Sequence, residues 1–175
     1  MATLADHQIR YHAMQWDMIA PYEPSQLNPA SYDVRLGKGL LVEGKNAYGE
    51  RWFPYFLQHK PYIMEPGEFV LGVIEEFIRV PNDVECQFMM KSSLGREGLD
   101  HINSCYIDPG YMGSITLELV NVNRSHSIQL SQGMLIGQLK FSRLEAPVET
   151  PYGVKGHYQG DINPEPAKLN GCVIT

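Results

Sequence analysis

Residues 113–123 have the sequence GSITLELVNVN, a run in which apolar and polar side chains alternate. An alternation of period two is typical of a β-strand that buries one of its faces. The run is bounded by Gly, Ser and Asn, which favour turns. We therefore predict a strand with Ile115, Leu117 and Leu119 on one face and Thr116, Glu118 and Val120 on the other.

Several other short segments have the same character and are separated by turn residues. Many closely spaced strands with Gly- and Pro-marked turns indicate an all-β sandwich or barrel. The segments are SYDVRLG (31–37), GKGLLVEG (37–44), YIMEPGEFVLGVIEEFIRVP (62–81), ECQFMM (85–90) and HSIQLSQGMLIGQLKFSRL (126–144).

Two short helices are predicted within this β-rich chain. Thr3 followed by Asp6 resembles a helix cap, and Leu4, Ile9 and Met14 indicate one short opening helix. Residues 91–99, KSSLGREGL, predict a second helix that Ser92 or Ser93 opens.

A chain of 175 residues is long enough for one domain with its own core. We assign residues 1–144 to the β domain and residues 145–175 to an irregular arm rich in Pro and Gly. The composition of the arm fits either a disordered terminus or a flap that orders over a ligand. Tyr152, His157 and Tyr158 supply more aromatic and donor groups than a linker needs, which favours the flap.

Composition excludes several classes of protein. The formal net charge of −6 disfavours non-specific nucleic-acid binding. No run approaches the ~18 apolar residues of a membrane span, and the N-terminus has no apolar signal-peptide region. Three widely spaced cysteines, Cys86, Cys105 and Cys172, fit reduced thiols. We therefore expect a cytoplasmic protein that binds neither a membrane nor nucleic acid.

Common cofactor motifs are absent from the sequence. It contains no G-x-x-x-x-G-K-[ST] phosphate loop and no dinucleotide fingerprint after a strand. No cysteine pair has C-x-x-C spacing and no histidine precedes x-E, so the zinc motif of nucleobase deaminases is missing too. We expect no zinc.

Three polar clusters could carry chemistry. The run from Lys91 to Arg96 combines hydroxyls, cations and a possible helix start. These groups could bind phosphate oxygens, or they could belong to a surface helix whose charges are solvated. The Asp108 carboxylate could contact a ligand, or it could merely accept hydrogen bonds from the backbone of its own turn. Glu118 is either solvent-facing or a cleft carboxylate whose pKa depends on its neighbours.

The ordered combination of these segments resembles the dCTP deaminases, a branch of the dUTPase-like superfamily, over nearly the whole chain. The motifs that carry the resemblance are LNPASYDVRLG (27–37), PGEFVL (66–71), SSLGR (92–96), IDPG (107–110), ITLEL (115–119), GMLIGQL (133–139) and GHYQG (156–160).

The resemblance implies a distorted β jelly roll that forms a homotrimer with sites at subunit interfaces. It implies a deoxycytidine or deoxyuridine triphosphate bound with Mg²⁺ held through its phosphates. Glu118 would activate water, Ser92 would place that water, and Arg96 would keep Glu118 ionised. The nucleotide-binding set implied is Lys91, Ser92, Ser93, Leu94, Gly95, Arg96, His101, Ile102, Ser104, Asp108, Thr116, Leu117, Glu118, Gln138, Tyr152, His157 and Asp161.

The sequence departs from the family pattern at four places. Lys91 stands where an Arg is usual and gives a point charge in place of a bidentate fork. His157 replaces a Lys of the arm, and Asp161 replaces a Gln where phosphates are expected, although Asp161 could instead help to hold Mg²⁺. The loop between residues 99 and 107 is one residue short, and Ser104 replaces an Ala at the base edge.

Four functions remain open at this point. The first is a dCTP deaminase that forms dUTP and ammonia, and the second is a bifunctional enzyme that continues to dUMP and diphosphate. The third is a dUTPase alone. The corresponding strand of the dUTPases lacks a glutamate at the position of Glu118, so this residue favours a deaminase over a pure dUTPase. The fourth is a non-catalytic nucleotide-sensing relative.

Overall fold

The computed structural model describes residues 2–44, 51–102 and 105–168. Short antiparallel strands dominate this part of the chain, which confirms the prediction of a mainly β fold. The strands are β1 (Ala2–Thr3), β2 (Ile19–Ala20), β3 (Leu27–Asn28), β4 (Ser31–Arg35), β5 (Gly39–Glu43), β6 (Trp52–Phe56), β7 (Tyr62–Met64), β8 (Phe69–Val73), β9 (Phe77–Arg79), β10 (Val84–Met90), β11 (Leu99–His101), β12 (Tyr106–Ile107), β13 (Met112–Gly113), β14 (Thr116–Asn121), β15 (Ile128–Leu130) and β16 (Leu135–Arg143).

The strands form two main sheets and two small ones. The first main sheet has the order β12-β10-β16-β4-β3, with β1 added beside β16, and the second has the order β11-β14-β8-β5-β6. The small sheets are β13-β9-β2 and β15-β7. Because most neighbouring strands are distant in sequence, the fold depends on long-range pairing.

One continuous hydrophobic core joins the two main sheets. Tyr32, Phe88 and Phe141 enter it from the first sheet, and Leu117 and Leu119 enter it from the second. At least ~1.5 kcal/mol of stabilisation accompanies the full burial of each such side chain. The core therefore fixes β14, the strand that carries Glu118, against the rest of the molecule.

The N-terminal helix exists, but its predicted cap is wrong. Helix α1 spans Asp6–Trp16 and its N-cap is Ala5, whose backbone N–H donates to Gln8 Oε1 at 2.9 Å. Thr3 instead pairs with Ser142 in the ladder between β1 and β16. Met14, predicted to lie on the apolar face, is 63% exposed.

The other helices are short. A 3₁₀ turn occupies Pro24–Gln26, helix α2 spans Ser92–Arg96, and helix α3 spans Tyr152–Lys155. Helix α2 begins at Ser92, as predicted; Lys91 occupies the N-cap position, and its side chain makes no capping hydrogen bond. Among the described residues, no helix has the length and apolar character that crossing a bilayer requires.

A buried ion pair links β4 to the connection between β8 and β9. Glu76 is fully buried, and its Oε1 accepts from Arg35 Nε at 2.9 Å and from Gln26 Nε2 at 3.2 Å. Its Oε2 accepts from the Arg35 backbone N–H at 3.0 Å. Gln26 Nε2 also donates to the backbone oxygen of Asp33 at 2.6 Å, so the network holds β4 in place.

Candidate active site

A cleft of about 500 Å³ lies over the outward face of β14, between the second main sheet and the C-terminal segment. Strand β14 contributes Glu118 and Thr116, the turn after β12 contributes Asp108, and the C-terminal segment contributes Tyr152 and Asp161. The other lining residues are Arg51, Trp52, Phe69, Leu71, Cys105, Tyr106, Ile107, Tyr111, Ser114, Ile115, Tyr158, Glu165 and Ala167.

Glu118 faces this cleft because β14 alternates as its sequence predicts. Leu117 and Leu119 are fully buried, whereas the Glu118 side chain is 32% exposed. In the ladder with β8, Glu118 lies opposite Leu71, which also lines the cleft. The predicted division of the two faces is confirmed. A partly buried carboxylate beside apolar walls is a suitable general base.

Asp108 lies at the entrance to a tight turn that aims it into the same cleft. Gly110 has φ +83°, and the Tyr111 N–H donates to the Asp108 backbone oxygen at 3.2 Å, which closes the turn. The Gly110 N–H donates to the Val80 oxygen at 3.0 Å and holds the turn in place. Within the described ranges no hydrogen bond reaches the Asp108 carboxylate, so the alternative of a self-bonded turn aspartate is not what forms. Asp108 is therefore available to a ligand.

Burial raises the pKa of two groups that line the cleft together with Glu118. Burial, with a smaller contribution from the charge of Glu118, raises the pKa of the Cys105 thiol to about 12. Burial also raises the pKa of Tyr111, whose hydroxyl donates to the Ser114 oxygen at 3.0 Å. Neither group is ionised near neutral pH, so both act as neutral walls of the cleft.

The edge strand β11 lies against Glu118. His101 Nε2 is 3.3 Å from Glu118 Oε2, and the Ile102 backbone N–H donates to the Glu118 backbone oxygen at 3.1 Å. Both residues belong to the predicted nucleotide-binding set, and the structure places them next to Glu118. Ser104, predicted at the same edge, lies outside the described residues.

A second polar group forms on the first main sheet, among β4, β10 and β16. The Lys91 ammonium pairs with Asp33 Oδ2, and Asn28 Nδ2 donates to Asp33 Oδ1 at 2.9 Å. Ser31 Oγ donates to Gln138 Oε1 at 2.7 Å. We call this set the Lys91 group; it unites Lys91 and Gln138, both members of the nucleotide-binding set that the family resemblance implies.

Helix α2 presents its polar side chains to solvent. Ser92, Ser93 and Arg96 are exposed, and none of them lines the cleft of their own chain. Within the described residues, Arg96 makes no ion pair with Glu118. Leu94 is partly buried against the core, and Leu117 is fully buried, so only the backbone of Leu117 can approach a ligand. One chain therefore carries the predicted site in two separate parts.

The C-terminal segment packs along the cleft of its own chain. The Tyr152 N–H donates to the Pro109 oxygen at 2.9 Å, and the Glu165 N–H donates to Thr116 Oγ1 at 3.1 Å. Asp161 accepts the Ser114 N–H at its backbone oxygen, 2.7 Å away, and the Lys168 ammonium at Oδ2, 3.0 Å away. The Asp161 carboxylate is thus already paired with a cation.

His157 lies apart from Glu118. It lines a smaller cavity together with Lys155, Tyr152 and Asp108. Since Tyr152 and Asp108 line both cavities, a ligand that fills the Glu118 cleft and extends past Asp108 would come near His157.

Several residues that line the cleft were not predicted from the sequence. Trp52 stacks edge-on against Phe69, with ring centroids 5.8 Å apart, and the Arg51 guanidinium lies 5.0 Å from the Trp52 ring centroid. No local pattern marks Arg51 and Trp52, because only the pairing of β6 with β5 brings this part of the chain near β14. Tyr111 could have been found, since it directly follows the IDPG turn.

The donor set fits Mg²⁺ only as a partner of phosphates. Among the described residues, no group of three or more His, Cys, Asp or Glu side chains could hold a metal ion. Mg²⁺ commonly binds one or two carboxylates together with phosphate oxygens and water. Asp108 and Asp161 on the cleft wall could supply such carboxylates.

Comparisons with known proteins identify relatives of this chain. A family model described as dCTP deaminase-like matches residues 3–144. A "dCTP deaminase, dUMP-forming" of Nocardioides sp. is 37% identical over 177 residues, covering 86% of this chain and 85% of that protein. A protein of the same name from Bifidobacterium longum is 40% identical over 162 residues, covering 85% and 83%.

Solved structures share the fold. A 2'-deoxycytidine 5'-triphosphate deaminase from Agrobacterium tumefaciens superposes with a TM-score of 0.67 at 24% identity, covering 80% of this chain and 47% of that one. A dUTPase from phage phi11 of S. aureus gives a TM-score of 0.51 at 13% identity, covering 75% and 87%. These likenesses confirm the predicted dUTPase-like jelly-roll type of fold.

Proposed function

Because this chain belongs to the dCTP deaminase-like family, we propose that it converts dCTP into dUMP, ammonia and diphosphate. The observation that carries the proposal is that two carboxylates, Glu118 and Asp108, line one cleft. Two successive hydrolyses each need a group that positions or activates water. The names of the similar proteins support this bifunctional reaction over a deaminase that stops at dUTP.

The deamination step requires water to attack C4 of cytosine. Glu118 takes one proton from the water as the new C–O bond forms, and passes that proton to ring N3. A second proton then moves from the new hydroxyl to the amino group, the C4–N bond breaks, and ammonia leaves. One carboxylate serves these transfers in turn, which is why the neutral Cys105 thiol and Tyr111 beside it are not required as acids.

The second step cleaves the triphosphate. A water molecule oriented by Asp108 attacks the α-phosphorus, the bond to the bridging oxygen breaks, and diphosphate leaves with its electron pair. Mg²⁺, when bound through the phosphates, neutralises part of their charge and helps the diphosphate to leave. The overall balance is dCTP and two waters giving dUMP, ammonia and diphosphate.

The complete site needs a second copy of the chain. Ser92 and Arg96 are exposed and do not line their own chain's cleft, so we propose that a neighbouring subunit of a homotrimer brings them to Glu118. The same neighbour would bring the Lys91 group and Ser93 to the phosphates. Arg96 then favours the ionised form of Glu118, and Ser92 places the water.

The C-terminal segment would close over the bound nucleotide as a flap. It already packs on the cleft through Glu165 and Tyr152. Tyr152 and His157 would contact the sugar or phosphates. Asp161 would stay paired with Lys168, or exchange that cation for Mg²⁺. In the second case Asp161→Gln would weaken nucleotide binding at low Mg²⁺, whereas improved affinity at every Mg²⁺ concentration would exclude it.

A substrate panel tests the proposed reaction. The purified protein is incubated with dCTP, dUTP, dCMP and a 5-substituted dCTP in the presence of Mg²⁺, and ammonia, dUTP, dUMP and diphosphate are resolved. We expect ammonia and diphosphate from dCTP in equal amounts. Ammonia without diphosphate would identify a dUTP-forming deaminase, diphosphate from dUTP alone a dUTPase, and binding without turnover a nucleotide sensor.

A further inference from the structure

The side chain that faces Glu118 within its own chain is a histidine. His101 Nε2 lies 3.3 Å from Glu118 Oε2, and within the described ranges no Lys or Arg ion-pairs with this carboxylate. We propose that His101 is a positioning residue that acts through Glu118 and makes no contact of its own with the reacting atoms. The inference rests on the proposed function, because it assigns His101 a part in the deamination step.

The structure gives His101 little freedom to point elsewhere. Its side chain is 4% exposed, and its ring packs beside Phe88 with centroids 5.2 Å apart. The backbone on both sides is held, since the His101 N–H donates to Asp100 Oδ1 at 2.8 Å and the Ile102 N–H donates to the Glu118 oxygen at 3.1 Å. The imidazole and the carboxylate are thus fixed relative to each other by two adjacent strands.

A donor at this place would orient the base. When the hydrogen is on Nε2, His101 donates to Oε2 and leaves Oε1 of Glu118 to take the proton from water. Charge-assisted N–H···O bonds are commonly about 2.8 Å long, and catalytic contacts are often longer before a ligand excludes water. We expect the 3.3 Å contact to shorten when the nucleotide fills the cleft.

This role differs from that of Arg96. The arginine is exposed on α2 and would reach Glu118 only from a neighbouring copy, whereas His101 is buried and belongs to the same chain. His101 therefore fixes the direction of the carboxylate before the trimer site is complete. A misplacement of about 1 Å at a reacting group costs on the order of a hundredfold in rate.

Two substitutions of similar size separate positioning from packing. His101→Leu removes the donor, and His101→Gln keeps an N–H group near the place of Nε2. In both proteins we would measure kcat and KM for ammonia release from dCTP, diphosphate release from dUTP, and the unfolding temperature. His126→Leu, at an exposed histidine outside the cleft, is the matched control.

We expect His101→Leu to lower kcat for ammonia release about ten- to a hundredfold with little change in KM, and to lower the ratio of ammonia to diphosphate release. His101→Gln should regain a measurable part of kcat, and His126→Leu should match the wild type. The inference is overturned if His101→Leu leaves kcat unchanged, or if the Leu and Gln variants lose both activities and unfolding temperature equally. A wild-type protein that releases no ammonia would overturn the proposed function, and this inference with it.

Discussion

The division of the site between two copies of the chain can be tested by mixing inactive subunits. One variant, Glu118→Gln, lacks the base and keeps Arg96; the other, Arg96→Ala, lacks the guanidinium and keeps Glu118. Each should be inactive alone, because every site contains one defect. Arg96 is exposed and does not line the cleft of its own chain, so the two defects need not fall in the same site.

The size of the recovery follows from the geometry. In the proposed trimer, a complete site takes Glu118 from one copy and Arg96 from the next copy around the ring. In trimers assembled at random from equal amounts, the first copy is the Arg96→Ala chain in about half of the sites, and the next copy is the Glu118→Gln chain in about half of those. About a quarter of all sites are therefore complete, and about a quarter of wild-type ammonia release should return.

The assay requires real exchange of subunits. The two variants, with different affinity tags, are mixed unfolded, refolded together, and assayed for ammonia release from dCTP. Sequential purification on both tags shows that mixed trimers exist. A double variant carrying both substitutions, mixed with Glu118→Gln, is the control and should recover nothing.

The outcome discriminates sharply between the two arrangements. If mixed trimers form and ammonia release stays at the level of the separate variants, Glu118 and Arg96 act from the same chain, and the divided site is refuted. A recovery of about a quarter excludes a site made within one chain, because no chain in the mixture has both residues.

Two further predictions concern the scaffold that holds the site. Glu76→Gln should destabilise the protein by about 2–3 kcal/mol, toward the lower end for a broken buried ion pair because the Arg35 side chain is 24% exposed. The unfolding temperature should fall by about 2–4 °C for each kcal/mol lost. The control is Glu75→Gln, at a carboxylate 3.8 Å from the same guanidinium, and it should change the stability little. Equal losses of stability in the two variants would contradict the importance of the Arg35–Glu76 pair. Gly137→Ala should cost about 1–3 kcal/mol in chemical denaturation, since a Cβ there would meet the backbone oxygen of the neighbouring strand at 2.7 Å. The control is Gly95→Ala, because nothing lies within 4 Å of the added Cβ, and it should leave the stability of the protein unchanged. An equal loss of stability in both variants would exclude the steric explanation.

Alternation along the chain was enough to predict the strand of Glu118 and the direction of its side chain. The pattern is local, and burial of Leu117 and Leu119 leaves only one face for the carboxylate. The turn at Asp108 was likewise visible, because Pro fixes its own φ and Gly readily adopts the positive φ that a tight turn needs. These features follow from neighbours in sequence.

The features that could not be predicted from the sequence depend on contacts between segments that are distant along the chain. Thr3 pairs with Ser142 of β16, and this pairing draws it away from the helix cap that local spacing predicts. Lys91 and Asp33 are 58 residues apart, yet the strand order β10-β16-β4 brings their charges together across β16. Trp52 reaches the cleft only through the order of the second sheet.

The separation of Arg96 from Glu118 could not be read from the chain either. Both residues were predicted in one site, but the spacing of motifs does not say whether two residues meet within a subunit or across an interface. The single chain shows the cleft of Glu118 in one place and the exposed helix α2 in another. For Arg96 and Glu118 to act in one site, as we propose, a second copy of the chain must supply one of them.

The central claim is that one cleft carries out two hydrolyses with different carboxylates. The most direct measurement is the release of ammonia from dCTP and of diphosphate from dUTP by the Glu118→Gln variant under identical conditions. We expect a folded variant that still binds nucleotide and still releases diphosphate from dUTP, with ammonia release reduced at least about a hundredfold. Undiminished ammonia release from Glu118→Gln would contradict it.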